Sequence, residues 1–285
     1  MPLAACNSAW PAPGKLNLFL HIVGRRPDGY HELQTIFQFL DRCDTLHFEV
    51  RQDGIVRRID PLPGVPEDHD LTVRAARLLQ EAGGTRLGVD IRLEKRLPMG
   101  GGLGGGSSDA ATTLVALNEL WGLNLSVDRL AELGLRLGAD VPVFVRGRAA
   151  WAEGVGERLV PVNLEEPWYV VIEPPVTVST AAIFSASELT RNSRPVTISD
   201  FLSGLCRNDC EAVVFARYPE IAEAQRWLSA FGPARLTGTG ACVFAPFATE
   251  EQARAVLERL PAAWRGFVAK GLNHSPLLDR LSIKD

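Results

Sequence analysis

Apolar and polar residues alternate with a period of two in three segments, which predicts strands. The segments are residues 16–22, 46–50 and 87–93. Residues 55–59 closely follow the second segment, so we expect them to form its hairpin partner. The unbroken apolar run at residues 168–172 is typical of a strand buried on both faces. Further strands are predicted at 235–244, with an interruption at Gly238-Thr239-Gly240, and at 267–269.

Apolar residues at helical spacing predict five helices. They are residues 71–81, a helix that begins near Ser107, one capped by Ser126, one that begins at Pro219, and one with a capping box of Thr249 and Gln252. Strands and helices interleave without the regular cadence of a Rossmann sheet, so the predicted fold class is α+β with two domains. The expected linker, Glu165-Glu166-Pro167, places these domains at residues 1–165 and 166–285.

A glycine run separates the strand at 87–93 from the helix that begins near Ser107. It extends from Pro98-Met99 through six glycines and one leucine to Ser107-Ser108. Because glycine has no Cβ, the chain can bend sharply here and a bulky anion can approach the backbone N–H groups. The N-terminus of the following helix also favours negative charge. The run therefore predicts a polyphosphate cradle, and the alternative is a flexible tether or a tight turn.

The two common nucleotide-binding loops do not fit this run. A P-loop carries a lysine directly after its last glycine, and no lysine follows here. Gly100, Gly102 and Gly105 match the dinucleotide-binding spacing, but in so dense a run the match carries little information. The first strand-helix-strand unit of that fold is also missing. The run therefore belongs to neither class.

Composition excludes several classes of protein. With 46% hydrophobic and 22% charged residues, the chain of 285 residues is typical of a globular protein and not of a disordered one. A net charge of −4 argues against a free-standing nucleic-acid-binding protein. No apolar run is long enough to cross a membrane, and the N-terminal residues lack the pattern of a signal peptide. We therefore expect neither a nucleic-acid nor a membrane partner.

Cysteine, histidine and lysine usage adds three expectations. Five cysteines without a Cys-x-x-Cys pair predict reduced thiols in a cytoplasmic protein. The five scattered histidines show no zinc-ligand spacing. Only four of the 30 basic residues are lysines, in a chain that otherwise uses arginine, so each lysine has a raised chance of being chemically required. These lysines are Lys15, Lys95, Lys270 and Lys284.

Three motifs of the chain resemble those of one enzyme family. Residues 98–111 resemble the central phosphate-binding motif of the GHMP kinases, which include galactokinase, homoserine kinase and mevalonate kinase. Residues 13–18 (PGKLNL) resemble the N-terminal motif of the family, and residues 236–242 (LTGTGAC) resemble its C-terminal glycine motif. The three motifs occur in the family's order and span most of the chain, so together they are far more specific than any one of them.

Two further segments narrow the resemblance. Residues 28–33 (DGYHEL) and 137–144 (LGADVPVF) resemble the branch that acts on a cytidine diphosphate-linked methylerythritol in the non-mevalonate route to isoprenoid precursors. The resemblance implies ATP-dependent phosphorylation of the 2-hydroxyl of this small molecule, with Mg²⁺. It also implies an N-terminal ATP-binding domain of the ribosomal protein S5 domain 2-like type and a ferredoxin-like C-terminal domain.

The resemblance also implies the catalytic roles. Asp140 would be the base that accepts the hydroxyl proton, and Lys15 would stabilise charge on the transferred group. From the residues alone, Asp140 could instead cap a short helix and Lys15 could be a solvated lysine at a strand end. The residues expected to bind ATP are Pro98, Met99, Gly100, Gly101, Gly102, Leu103, Gly104, Gly105, Gly106, Ser107 and Ser108.

Substrate binding is implied for a second group of residues. Tyr30 would stack on cytosine, His31 would hydrogen-bond the base edge, and Phe184 would cover the other face of the base. The structural alternatives are a histidine bonded to backbone and a phenylalanine of the core. The remaining expected substrate contacts are Asn17, Thr180, Gly238, Thr239 and Gly240.

Two other functions stay open at this point. Another GHMP enzyme, such as a homoserine or mevalonate kinase, would keep the loop but lack the Tyr30-His31 pair. An RNA-binding or scaffold protein could use the same N-terminal fold. In addition, Asp70 replaces an asparagine that the family pattern associates with adenine contact, so no adenine contact is predicted.

Overall fold

The computed structural model describes residues 9–27 and 29–282. The strands are β1 (Trp10–Arg25), β2 (His31–Arg51), β3 (Val56–Arg58), β4 (Gly88–Glu94), β5 (Ala150–Gly154), β6 (Arg158–Pro161), β7 (Trp168–Glu173), β8 (Arg235–Leu236), β9 (Val243–Phe247) and β10 (Arg265–Leu272). The helices are α1 (Leu71–Gly83), α2 (Gly105–Leu120), α3 (Val127–Leu135), α4 (Val141–Arg146), α5 (Thr180–Phe184), α6 (Ile198–Leu202), α7 (Glu211–Arg217), α8 (Pro219–Ser229), α9 (Glu250–Leu257) and α10 (Pro276–Ser282). This mixture matches the predicted α+β class.

The long strand β2 organises the first half of the chain. It pairs antiparallel with β1 along most of its length, with β5 near its beginning and with β4 near its end. In the second half, β10, β7, β9 and β8 pair in that order, and each pair is antiparallel. A short pairing of Gly271 and Leu272 with β2 joins the two sets of strands. In the part of the chain that the structure describes, no helix combines the length and apolar character needed to cross a bilayer.

Three clusters of buried apolar side chains fill the interior. The first lies between the β2 sheet and helices α1–α4, with Phe39, Leu79 and Leu114 fully buried. The second packs α5, α7, α8 and α9 onto strands of the second half, and the third lies between the two sets of strands. Strand β1 contributes side chains to all three clusters, which explains why both of its faces are buried.

Strand β1 is buried on both faces, whereas alternation of apolar and polar residues is typical of a strand with one buried face. The leucines of residues 16–22 are buried, but so are the intervening Asn17, Phe19 and His21. Polar groups in such a strand need internal partners, because water cannot reach them. Lys15 and Asn17 are buried in this strand, so other elements must supply the groups that hydrogen-bond to them.

Most of the predicted elements are confirmed. Helix α1 extends two residues beyond Glu81, to Gly83, and is capped by Gly84, which has a left-handed φ of 61°. Helix α3 has its predicted N-cap, since the Ser126 hydroxyl accepts a hydrogen bond from the N–H of Arg129. The predicted strand 235–244 forms β8 and the start of β9, with residues 237–242 as the loop between them. Helix α2 begins at Gly105, two residues before the expected start.

Two local predictions are wrong. Residues 55–59 do not form a hairpin with 46–50; instead, β3 pairs in parallel with β4, because β4 already occupies that edge of β2. Thr249 caps α9 by accepting from the N–H of Gln252, but the reciprocal bond of a capping box is not formed there. A complete capping box occurs instead at Thr197 and Asp200, at the start of α6.

The cysteines that the structure describes are free. Cys206, Cys210 and Cys242 are buried, and Cys43 is half-buried. Cys6 lies outside the described residues. The cytoplasmic location stays a prediction.

Asp70 has a structural role that accounts for a charge at this position. Its side chain caps α1, where it accepts hydrogen bonds from the N–H and the hydroxyl of Thr72 at 2.8 and 2.6 Å. It also forms a buried ion pair with Arg58, and each side chain is 4% exposed. A buried guanidinium needs such a counter-ion, since an isolated charge in the interior is strongly unfavourable.

We expect Asp70→Asn to destabilise the fold by about 3–5 kcal/mol, because the amide can still cap α1 but leaves Arg58 buried without a countercharge. Urea denaturation measures this change in the free energy of unfolding. Asp68→Asn is the matched control: Asp68 is 82% exposed and pairs with Arg77, so its substitution should leave the free energy of unfolding nearly unchanged. Equal effects of the two substitutions would contradict the structural role of Asp70.

Candidate active site

The predicted site residues converge on one cavity of about 1000 Å³. The glycine run and Asp140 line one part of it, and Tyr30, His31 and Phe184 line another. All of the predicted site residues contribute to its wall except Ser108 and Gly240. Asp28, which belongs to the motif at residues 28–33, lies outside the described residues.

The glycine run forms a loop braced by both halves of the chain. On one side, the N–H of Lys15 in β1 donates to the carbonyl of Leu103 at 2.9 Å. On the other side, the N–H groups of Ala241 and Cys242 donate to the carbonyls of Gly100 and Gly101 at 3.2 and 3.1 Å. The loop then leads directly into α2, whose first N–H groups lie at the cavity wall. The loop is thus held in place from both sides, which does not fit the alternative of a flexible tether.

Two glycines of the loop cannot be replaced without strain. Gly102 has a φ of 78°, and a Cβ on it would lie 2.2 Å from the carbonyl oxygen of Thr237. Gly104, the N-cap of α2, has a φ of 71°, and its Cβ would lie 3.0 Å from Cε of Lys15. Glycine is therefore required both by the backbone conformation and by the close approach of neighbouring atoms.

Lys15 is buried at the centre of the site, with 2% of its surface exposed. Its ammonium donates to Oδ1 of Asn17 at 2.5 Å and to the carbonyl of Gly102 at 3.0 Å. It also lies 3.3 Å from Oδ2 of Asp140 and 5.4 Å from the centre of the Phe37 ring. Two of the three donors of the ammonium group are thus used in hydrogen bonds, and Asp140 supplies a countercharge. Lys15 is therefore not a solvated lysine at a strand end.

Asp140 immediately precedes α4, and its side chain lies at the cavity wall beside Lys15 of β1. Its side chain is 33% exposed, and it makes no capping hydrogen bond to the described N–H groups of α4. A carboxylate that pairs with a buried ammonium and remains open to a cavity can accept a proton from a bound molecule. The structure thus does not favour the alternative of a structural helix cap.

Asn17 connects Lys15 with the loop of residues 237–242. Its Nδ2 donates to the hydroxyl of Thr35 at 2.9 Å, and its backbone N–H donates to the hydroxyl of Thr237 at 3.0 Å. The hydroxyls of Thr180 and Thr239 lie 3.0 Å apart at the cavity wall. The loop at 237–242 therefore contributes both support for Asn17 and surface for a ligand.

Three aromatic side chains were predicted to enclose a base. The structure places the rings of His31 and Phe184 against each other, with centroids 5.1 Å apart and planes inclined by 25°. Tyr30 is 63% exposed beside them. Burial, together with the charges of Arg191 and Arg25, lowers the pKa of His31. His31 is thus a neutral ring with an aromatic neighbour, and it is not bonded to backbone in the part of the chain that the structure describes.

Ser108 and Gly240 lie behind the cavity wall. The hydroxyl of Ser108 is buried in the first turns of α2 and has no hydrogen-bond partner among the described residues. Gly240 faces Leu236, Val214 and Ile221 in the core of the second half. Gly240 therefore supports the loop from the side remote from the cavity.

Sequence reasoning missed a buried charge cluster beneath the glycine loop. The ammonium of Lys95 bridges the carboxylates of Asp44 and Asp109, with 2.8 Å to Asp109. Lys95 is only 16% exposed, and Oδ1 of Asp109 is buried without a partner among the described residues. Lys95 and Asp109 also line the cavity. The scarcity of lysine was a usable signal for Lys95, whereas nothing in the local pattern pointed to Asp44.

Asp109 has a strongly perturbed protonation equilibrium. Burial raises the pKa of its carboxyl to about 7, the charge of Lys95 opposes this shift, and the charge of Asp44 adds to it. The folded chain therefore retains a proton that the unfolded chain releases near its ordinary pKa of 3.8. This term stabilises the fold fully below that value and is lost as the pH rises through about 7.

We expect Asp109→Asn to reduce the loss of stability between about pH 4.5 and pH 7.5, because an amide does not titrate between the two pKa values. Chemical denaturation of both proteins across this range measures the difference. Parallel pH profiles of the two proteins would show that Asp109 titrates at its ordinary pKa.

Family models match both halves of the chain. The GHMP kinases N terminal domain matches residues 70–148, and the GHMP kinases C terminal model matches residues 186–266. Helix α2 and the loop before it fall within the first match. These matches favour an enzyme over the RNA-binding or scaffold alternative, while the domain boundary at residue 165 stays a prediction.

Whole-chain comparisons agree with these matches. The 4-diphosphocytidyl-2-C-methyl-D-erythritol kinase of Alkalilimnicola ehrlichii is 66% identical, over 95% of this chain and 94% of the relative. The protein of the same name from Pseudomonas paraeruginosa is 62% identical, over 97% of this chain and 98% of the relative. A crystal structure of 4-(cytidine 5'-diphospho)-2C-methyl-D-erythritol kinase is 36% identical, with a TM-score of 0.82 and coverage of 93% and 99% of the two chains. The chain therefore belongs to the small-molecule kinases of the GHMP family, within the family of 4-diphosphocytidyl-2-C-methyl-D-erythritol kinases.

Proposed function

We propose that this chain transfers the terminal phosphoryl group of ATP to the 2-hydroxyl of 4-diphosphocytidyl-2-C-methyl-D-erythritol. One observation carries the chemistry: the Lys15 ammonium lies 3.0 Å from the carbonyl of Gly102 in the glycine loop and 3.3 Å from Asp140. Phosphoryl transfer requires positioning and charge stabilisation more than covalent help from the protein. The names of the relatives supply the identity of the alcohol.

The glycine loop fits the polyphosphate of ATP. Side-chain-free backbone at Gly102 and Gly104 leaves room that a Cβ would fill, and the N-terminus of α2 faces the same space. Backbone N–H groups at such a helix start bind phosphate oxygens, and the helix dipole adds to the attraction. The loop would thus hold the phosphates, with the terminal phosphorus directed toward Lys15.

The residues at the start of α2 also fit a magnesium ion bound with ATP. Ser107 lines the cavity, and the Ser108 hydroxyl and Oδ1 of Asp109 are buried without partners among the described residues. Mg²⁺ is commonly held by one or two protein oxygens together with phosphate oxygens. Ser107 and Asp109, which line the cavity, would hold the ion, with the Asp109 carboxyl in its ionised form. The ion supplies neutralisation of phosphate charge when it is bound.

The reaction then follows from the two charged groups. The substrate hydroxyl oxygen forms a bond to the terminal phosphorus, the bond from that phosphorus to ADP breaks, and the hydroxyl proton passes to the carboxylate of Asp140. Lys15 stabilises negative charge on the transferred group from its fixed position. Its burial excludes water from the ammonium, which strengthens this interaction.

The other part of the cavity fits a nucleoside. His31, Phe184 and Tyr30 present aromatic surface there, and Thr180 and Thr239 present hydroxyls. Binding the cytidine diphosphate group at this remote position would hold the alcohol near Asp140 and supply binding energy for orientation. Tyr30 and Phe184 would cover the two faces of the cytosine.

Asp140→Asn tests the proposed base. We expect kcat to fall by about 10²–10⁴-fold because the amide cannot accept the hydroxyl proton, whereas the Kd for ATP should change by less than about twofold. Steady-state kinetics and calorimetry measure the two quantities. Asp128→Asn provides a matched control, since Asp128 is 78% exposed and pairs with Arg146 away from the cavity. A variant at Asp140 with parental kcat would remove this carboxylate from the mechanism.

Inhibition by CMP tests the proposed substrate. We expect CMP to compete with the alcohol substrate and not with ATP, and we expect His31→Ala to weaken this inhibition about tenfold, or about 1.4 kcal/mol. His274→Ala is the control, because His274 contacts Arg148 outside the cavity. An enzyme that CMP does not inhibit would instead match a homoserine or mevalonate kinase.

A further inference from the structure

Arg191 lies outside the cavity wall but holds two of the aromatic side chains that form it. Its Nε donates to Nε2 of His31 at 3.1 Å. Its two terminal nitrogens donate to the backbone carbonyl of Phe184, the last residue of α5, at 3.1 Å and to that of Leu189, beyond α5, at 3.0 Å. They also reach the carbonyls of Ala186 and Ser187. The planar guanidinium thus connects the end of α5 with the first residue of β2.

This contact determines which nitrogen of His31 carries the proton. An arginine can only donate, so Nε2 of His31 must be the acceptor. The pKa of the ring is lowered by burial and by the charges of Arg191 and Arg25, which keeps the ring neutral near pH 7. In a neutral imidazole with an accepting Nε2, the proton is on Nδ1. His31 therefore offers an N–H donor of defined position.

The same guanidinium also fixes Phe184. A terminal nitrogen of Arg191 donates a hydrogen bond to the carbonyl of Phe184, and the ring of Phe184 stacks on His31. Both rings line the cavity, whereas Arg191 does not. Cytosine has hydrogen-bond acceptors on its pairing edge, and its two flat faces can stack on aromatic rings. A site that recognises it therefore needs a hydrogen-bond donor and an aromatic surface together. Arg191 holds both of these groups in one arrangement before any ligand binds.

We propose that Arg191 is a positioning residue for base recognition: it fixes His31 as an Nδ1–H donor and holds the His31–Phe184 pair in place. The inference rests on the proposed function and deepens it, because it explains how the nucleoside end of the cavity is preorganised. Preorganisation of this kind improves binding by reducing the ordering that a ligand must impose.

Nitrogen-15 NMR of the parental protein tests the first part without any substitution. We expect Nε2 of His31 to give the signal of an unprotonated nitrogen and Nδ1 that of a protonated one at neutral pH. In Arg191→Ala the two tautomers should mix, and the titration midpoint of His31 should rise because a nearby positive charge is removed. A protonated Nε2 in the parental protein would overturn the proposal.

Kinetics test the second part. We expect Arg191→Ala to raise KM for the cytidine substrate and the inhibition constant of CMP about tenfold while kcat changes by less than about twofold. Arg191→Lys keeps the charge but not the planar set of donors, so it should recover only part of the affinity. Arg217→Ala is the matched control. Arg217 also donates to the segment that contains α5, at Glu188 and at the carbonyl of Ala182, but it does not contact His31.

A double-substitution cycle separates positioning from general support of the fold. If Arg191 acts through His31, adding Arg191→Ala to His31→Ala should weaken CMP inhibition much less than it does in the parental protein. Fully additive effects would contradict the proposal. If CMP does not inhibit the parental enzyme at all, the cytidine assignment fails, and the NMR result still decides whether Arg191 sets the tautomer of His31.

Discussion

A buried ammonium group is the interaction around which the site is organised. Lys15 has almost no contact with solvent, so its charge must be compensated from within the protein. Asn17 in its own strand, Gly102 in the glycine loop and Asp140 before α4 supply that compensation. Three separate parts of the chain must therefore converge at one point. The two groups to which we assign the chemistry, Lys15 and Asp140, are brought together by the same contacts that compensate the buried charge of Lys15.

The glycine loop depends on this convergence. Its carbonyls accept hydrogen bonds from Lys15 on one side and from Ala241 and Cys242 on the other. Beneath it, Lys95 is held by Asp44 and Asp109. Two of the few lysines in the chain therefore lie at the loop, in a protein whose other basic residues are mostly arginine. These contacts hold the glycine-rich backbone in one conformation, which would preorganise its N–H groups for the phosphates in the proposed reaction.

The sequence predicted the parts of this arrangement that depend on local pattern. Periodicity identified α1, α3 and β4, and the glycine run was informative because it stood between a strand and a helix. Parallel pairing of β3 with β4 was not predictable, since it depends on which strand occupies the edge of β2. The family resemblance, and not the local pattern, brought Asp140 and Tyr30 into the predicted site. Asp44 and Arg191 were missed because their partners are far away in the sequence.

A crystal structure of the protein with a non-hydrolysable ATP analogue and CDP would show whether the buried Lys15 ammonium lies at the point of phosphoryl transfer. We expect the phosphates to lie against the backbone N–H groups of residues 104–107, with the terminal phosphorus beside Nζ of Lys15 and the cytosine at His31 and Phe184. A triphosphate bound away from the glycine loop, with Lys15 and Asp140 remote from it, would show that these two residues do not act in the transfer.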